Sequence, residues 1–363
     1  MMPDAHFRRD MLAPAGGADA IRAWLLLLGV LVYAMILIGG ATRLTDSGLS
    51  ITEWAPISGM LPPLSEAAWQ SEFDKYRQTA EYQLQNKGMS FGEFQYIYWW
   101  EWGHRQFGRL IGLVAVGGFA LFAVRRWLTP RLSLRLGALI ALGSLQGAIG
   151  WWMVASGIGE TTRVDVAPYR LATHFTLALL IIGAIAWLWM ALGRASRPQA
   201  VPGARLVAWG LLAGVTVQMA TGALVAGLDA GRTYTDWPLM AGEAFPSNYF
   251  SEALGLRSLF EGRAATQFNH RTLAYVLFAA TLVAVWAYRR TPLAGAFALL
   301  ATLTTLQSAW GIATLVHAAP LEMALLHQGL GVLVFLAAVR LAWRASVTVA
   351  APVGMAASPA RVG

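Results

Sequence analysis

Residues 104–110 read HRQFGRL and residues 270–276 read HRTLAYV, each a His-Arg pair set in a long apolar run. The surrounding sequence repeats in the same order. LQGAIG (145–150) is answered by LQSAWG (306–311), and THFTLA (173–178) by LHQGLG (326–331). Upstream, GGATRLTDSGLS (39–50) corresponds loosely to TGALVAGLDAGR (221–232), and Trp54, Pro56 and Gly59 then find counterparts in WPLMAG (237–242). Self-similarity in a fixed order marks a duplicated architecture. The chain reads as two tandem four-helix units, 21–197 and 198–345, between an N-terminal tail (1–20) and a C-terminal tail (346–363) without ordered structure.

Composition sets the solvent. Of 363 residues, 57% are hydrophobic and 13% charged, against roughly 45–50% and about 25% in a soluble domain. A bilayer core about 30 Å thick takes about 20 apolar residues in a helix. Eight such stretches are present, near 21–40, 98–124, 133–153, 169–193, 205–227, 266–288, 293–315 and 321–343. The first is too long, and too far from the start of the chain, for a cleavable signal peptide, and reads as an anchor. The fold class is all-α, a polytopic membrane protein. Four spans separate equivalent positions, so both units run the same way, related by a pseudo-two-fold axis along the membrane normal.

The net charge of +8 comes from arginines beside the apolar runs, with lysine only at Lys75 and Lys87. This is the pattern of membrane topology, not of a nucleic-acid surface. Arg8, Arg9 and Arg22 precede span 1, while Arg125, Arg126, Arg131 and Arg135 join spans 2 and 3. Arg194, Arg197 and Arg205 join spans 4 and 5, Arg289 and Arg290 join 6 and 7, and Arg340 and Arg344 end span 8. Positive residues accumulate on the cytoplasmic side, which puts both termini there and the long loops 41–97 and 228–263 outside.

The first outer loop is long enough to cap the bundle. Ser65 is placed to cap a short helix with Trp69, Phe73 and Tyr76 on one face, suited to the membrane surface or the bundle top. Ser90 and Glu93 have capping-box spacing, predicting that the second span begins near Phe91, above the hydrocarbon. Trp99, Trp100 and Trp102 read as an interfacial belt or as a water-excluding lid.

With no cysteine, disulfides, iron–sulfur clusters and thiolate metal sites are excluded, which leaves histidine, methionine or carboxylate as ligands. His104, His174, His270 and His327 each fall five to seven residues inside the outer end of an even-numbered span. Ionisable groups in spans point to function. One pair per unit, on its second and fourth helices, suits the two axial positions of haem iron in a four-helix bundle. One turn beyond each lies Gly108, Ala178, Ala274 or Gly331, small enough to admit a porphyrin or simply to pack helices. Arg105 and Arg271 follow the first histidine of each pair, placed for haem propionates or for headgroups and loop carboxylates. His317 and His6 have no repeat partner and are not expected to be ligands.

The units differ at one position. Glu101 stands three residues before His104, on the same helical face, where the second unit has Gln267 before His270. A carboxylate titrates and an amide does not. The first unit is the candidate for chemistry and the second for a resident redox cofactor, unless Glu101 merely bonds loop backbone or an arginine.

Across nearly its whole length the chain resembles the haem A synthase family, proteobacterial and mitochondrial branch. The resemblance rests on GGATRLTDSGLSITEWAPISGMLPP (39–63), EFQYIYWWEWGHRQFGRLIGL (93–113), GLDAGRTYTDWPLMAG (227–242), FNHRTLAY (268–275) and LLHQGLG (325–331). It implies an inner-membrane oxidoreductase that acts on a CH group, turning the C8 methyl of haem O into the formyl of haem A through two hydroxylations and loss of water. It further implies that His270 and His327 ligate a haem b cofactor, that His104 and His174 flank the substrate haem, and that Glu101 is essential. Haem O synthase and cytochrome oxidase assembly factors become expected partners. Some relatives carry an outer-loop cysteine pair, which this chain lacks. Two other readings remain: a di-haem b, quinol-oxidising electron-transfer cytochrome, and a haem carrier or assembly factor.

Overall fold

A computed structural model of the chain describes residues 17–159, 161–193 and 200–347. His6 and the expected C-terminal tail from 348 onward lie outside the described residues. Among the described residues the regular elements are helices, eight of them long and apolar enough to cross a membrane. These are α1 (Ala18–Leu44), α4 (Phe91–Val124), α5 (Pro130–Val154), α6 (Pro168–Ala191), α7 (Ala204–Gly227), α9 (Arg263–Tyr288), α10 (Ala294–Val316) and α11 (Leu321–Ser346). Three short α-helices, α2 (Glu66–Tyr76), α3 (Ala80–Leu84) and α8 (Ser258–Glu261), and three single-turn 3-10 helices lie between them. Each expected span corresponds to one observed helix.

Local chemistry sets where the helices begin. Ser90 accepts from the Glu93 amide while the Glu93 carboxylate accepts from the Ser90 amide, a complete capping box, so α4 starts at Phe91. Its 34 residues rise about 1.5 Å each, more than a bilayer core requires. Thr129 caps α5 ahead of Pro130, and Pro168 opens α6; proline at the first helical position loses no hydrogen bond. The Ser65 hydroxyl accepts from the Ala68 amide at the start of α2. The aromatic face of α2 lies on the raised end of α4: Phe73 and Tyr76 stack on Phe94 at 4.8 and 5.4 Å between ring centroids. Trp69 meets Tyr98 and Trp99. The segment between α1 and α4 is thus a cap with its own aromatic core.

That cap encloses an acid. Glu81 on α3 is 2% exposed, beside the Tyr76 hydroxyl that accepts from Asn86 Nδ2 at 2.8 Å, and its Oε2 has no partner among the described residues. Burial pushes its carboxyl up to about 8, opposed by Tyr76 and reinforced by Glu101, Asp46 and Asp165. The folded value lies above the ordinary 4.5, so the folded cap holds a proton that the opened cap releases between these two pH values. The stabilisation is complete below about pH 4.5 and is lost as pH rises through about 8. Exchange of the 66–84 amides, corrected for intrinsic rate, should show an opening free energy that falls by up to about 1.4 kcal/mol per pH unit. Glu81→Gln should flatten this slope; a variant as steep as the parent would refute the assignment.

In the first half, α1, α4, α5 and α6 pack in a closed ring in that order; in the second, α7, α9, α10 and α11 do the same. Helices α4 and α6 therefore stand on one diagonal of their ring, and α9 and α11 on one diagonal of theirs. The halves meet through α1 and α6 on one side and α7 and α11 on the other, around one apolar core. Helix α11 is the most enclosed span, with 50% of its apolar window buried, against 6% for α4. Backbones approach closely at the junction: Gly40 lies under Gln328 and Gly329 under Tyr33, and Gln328 Nε2 donates to the Ile36 carbonyl at 2.8 Å.

At the end of this junction where α1 and α7 finish, Arg43 pairs with Asp46 at 2.8 Å, Asp165 at 3.3 Å and, from the second half, Asp229 at 2.9 Å. Burial raises the Asp165 carboxyl while Arg43 opposes the shift. Asp46 and Asp229 both adopt left-handed backbone, φ 49° and 50°, a conformation that Asp tolerates better than most residues. These two are equivalent, as are Gly39 and Gly222, so the loose sequence pairing of 39–50 with 221–232 is displaced by one residue. The matched glycines Gly40 and Gly222 had drawn it out of register.

Candidate functional site

Each of the four span histidines rests on a glycine of the helix before it in its ring. A Cβ on Gly39, Gly150, Gly222 or Gly311 would stand 3.0, 2.9, 3.0 or 2.7 Å from Cε1 of His104, His174, His270 or His327. A side chain at any of these positions would push the ring away. His104 and His174 project from diagonal helices of the first ring, and His270 and His327 from diagonal helices of the second.

Threonines set the tautomer of the first histidine in each pair. The Thr42 hydroxyl donates to the Ile38 carbonyl at 2.9 Å, so its oxygen is left to accept from His104 Nδ1 at 3.4 Å. Likewise Thr221 donates to the Gln218 carbonyl at 2.9 Å and accepts from His270 Nδ1 at 3.1 Å. With the proton on Nδ1, the Nε2 lone pair is free for a metal, the usual orientation of a ligating imidazole. His327 Nδ1 is buried and lacks a protein partner.

Glutamines brace three of the four rings. Gln146, Gln218 and Gln307 donate from Nε2 to the backbone carbonyls of His174, His270 and His327 at 3.0, 3.1 and 2.9 Å. At His174 and His270 the amide nitrogen is nearly equidistant from both ring nitrogens. It therefore lies over the face of the imidazole, not in its plane. The sequence signal for two of these glutamines is in the matched LQGAIG and LQSAWG, whose role was not legible without the contact.

The N-terminal parts of α4 and α9 grip the loops in parallel ways. Arg105 donates to the carbonyls of Ile51 at 2.9 Å and Glu53 at 3.2 Å. Arg271 donates to those of Tyr234, Asp236 and Leu239 at 2.9, 3.0 and 3.0 Å. Gln106 and Arg109 add bonds to the carbonyls of Gly59, Pro56 and Ala55. Glu101, 3% exposed, accepts from Ser50 Oγ at 2.7 Å, the Ile51 amide at 2.8 Å and Arg105 at 2.6 Å. Gln267 instead donates to the Tyr234 carbonyl at 2.9 Å. Glu101 thus bonds both loop backbone and an arginine, and brings a buried carboxylate to the helix face of His104.

Of the small residues one turn beyond the histidines, Gly108 faces the Met35 methyl, and Gly331 faces Met219 and Gln307. His317 is exposed at the end of α10, its Nδ1 on the Ala313 carbonyl. Among the described residues no three His, Asp or Glu side chains converge on a metal position. A histidine pair can hold a metal firmly only if the remaining ligands come with it, as in haem. The Nε2 lone pairs that the threonines leave free on His104 and His270, and the diagonal placement of the four rings, fit that group.

The family model for cytochrome oxidase assembly proteins matches residues 22–339. The chain belongs to the haem A synthase family. Haem A synthase of Hyphomonas neptunium is 67% identical to it over 328 residues, covering 90% of this chain and 93% of that protein. The haem A synthase of Dinoroseobacter shibae is 52% identical, covering 88% of this chain and 85% of its own. That of Paracoccus denitrificans is 48% identical, covering 86% and 84%. With eight apolar helices, the chain is a multi-pass membrane protein of a family of haem-handling enzymes.

Proposed function

We propose that the chain oxidises the C8 methyl of haem O to the formyl of haem A, as an oxidoreductase acting on a CH group. The methyl is hydroxylated twice, each step a two-electron oxidation that draws on an external oxidant, dioxygen or another electron acceptor, with the added oxygen atom coming from dioxygen or water; the resulting geminal diol loses water to leave the aldehyde. The observation that carries this reading is the unequal pair Glu101 and Gln267: two similar loop anchorages, with a titratable carboxylate in one alone.

In this reading the units are 21–197, which binds the substrate haem between His104 and His174, and 198–345, which holds haem b between His270 and His327. Haem b held there supplies a reversible one-electron carrier inside the membrane. Thr42 and Thr221 keep Nδ1 protonated, which would leave Nε2 of His104 and His270 as the nitrogen offered to a haem iron. Glu101, fixed by three donors, stabilises positive charge developing at the oxidised carbon or takes up the proton it releases. Arg105 and Arg271 have their main donors on loop backbone, and their free N–H groups are the ones available to propionates. The first cap lies over the Glu101 end of α4 and excludes water from reactive intermediates. The farnesyl tail of haem O stays in lipid, where each buried CH₂ is worth about 0.8 kcal/mol; exposed α4 forms the wall beside it. The arginine-rich loops and both termini face the cytoplasm of a bacterial inner membrane, and the haem sites lie near its outer side. Haem O synthase and oxidase assembly factors are the corresponding partners.

Coexpression with a haem O-forming enzyme, followed by acid extraction and chromatography of the haems, tests this. Haem A is expected only when both are present. Haem B and haem O alone would favour the electron-transfer cytochrome. Haem A bound when supplied, with no conversion of haem O, would favour the carrier.

A further inference from the structure

The brace on the histidines is missing once. Gln146, Gln218 and Gln307 each precede the supporting glycine by four residues, at Gly150, Gly222 and Gly311. In the first helix the residue four before Gly39 is Met35. Its methyl reaches to 3.3 Å from where a Cβ on Gly108 would be, one turn beyond His104. An apolar, rotatable thioether thus occupies the place of the amide, and among the described residues no side chain donates to the His104 carbonyl. The Thr42 contact to His104, at 3.4 Å, is also longer than the 3.1 Å from Thr221 to His270.

We propose that His104 is the yielding ligand of the four, and that Met35 is the positioning residue that makes it so. The inference rests on the reading of the four histidines as haem ligands. A glutamine that holds the backbone carbonyl and covers the ring face limits how the imidazole turns, so a braced ring stays on its iron. His104, held by one long hydrogen bond and a glycine contact, is free to swing off. The side of the substrate haem that opens to an incoming ligand is then the α4 side, the face that carries Glu101. The second unit, with both rings braced, stays closed, as suits an electron carrier.

The test uses the full chain, purified in detergent with its haems, reduced with dithionite and exposed to carbon monoxide, which binds haem iron only where an axial ligand has left. One carbon monoxide-reactive haem per chain is expected in the parent. Met35→Gln should slow the reaction about tenfold or more with unchanged haem content, whereas Met35→Leu should behave as the parent. Gln218→Met, the reciprocal change in the second unit, should make a second haem reactive. The inference is overturned if Met35→Gln and Gln218→Met both match the parent, or if the parent reacts at both haems or at neither. If a folded parent takes up no haem, the ligand reading itself fails. A variant with normal haem content but altered carbon monoxide binding is not explained by packing damage.

Discussion

Glu101→Gln is expected to lower haem A formation by about 10²-fold or more while both haem sites still load. The second unit already carries an amide at the equivalent position, and Gln267 still anchors its loop, so the fold tolerates the change. What is lost is the charge. The glutamine oxygen can accept from Ser50 and Ile51, but its NH₂ then faces the Arg105 guanidinium, donor against donor. A local cost of about 1–3 kcal/mol follows from that unsatisfied contact, and it should appear as faster amide exchange around residues 50–53. The ratio of haem A to haem O in extracted haem, read beside total haem, checks the claim. A variant that forms haem A at the parent rate would remove Glu101 from the chemistry. Glu101→Asp, which keeps the charge but shortens the reach, should retain part of the activity.

Gly311→Ala should empty the second unit of its haem. The added methyl would stand 2.7 Å from His327 Cε1, the tightest of the four contacts, and the His327 backbone is tied to the same face of α10 by the Gln307 bond to its carbonyl. The ring has no slack and must rotate away. Gly295→Ala on the same helix meets nothing within 4 Å; it serves as the control and should bind as the parent does. The pyridine haemochrome signal per chain should fall by about half for Gly311→Ala, one of two sites being lost. Full haem content in that variant would show that His327 holds no iron.

Much of this was legible in the sequence because bilayer physics is severe. Twenty apolar residues in a row have few uses, and all eight spans were placed to within a few residues, with larger differences only where α1 and α4 run on beyond the hydrocarbon. The start of α4 at Phe91 was readable from Ser90 and Glu93 because a capping box is a local device. Repetition was enough to put one histidine on each of the diagonal helices. It did not reveal the neighbours that orient them: Thr42 and Thr221 do similar work from non-equivalent positions, so no repeat pattern exposes them. The glutamine brace was hidden for a different reason. Its partner is a backbone carbonyl on another helix, and a backbone carbonyl carries no residue identity. The register of 39–50 against 221–232 was one residue out, since glycine pairs match easily and only the shared left-handed turn at Asp46 and Asp229 fixes the equivalence.

The same anonymity of the main chain has a consequence for the outer loops. Arg105, Gln106, Arg109 and Arg271 hold those loops by peptide carbonyls, so the fastening does not depend on which side chains decorate the held segment. Positions 55 and 239 are accordingly open to replacement without loosening the clasp, whereas Glu53 also pairs through its side chain with Lys75. The face these loops turn outward can therefore diversify, acquiring recognition for whatever delivers or collects a porphyrin, while the chamber underneath keeps its shape.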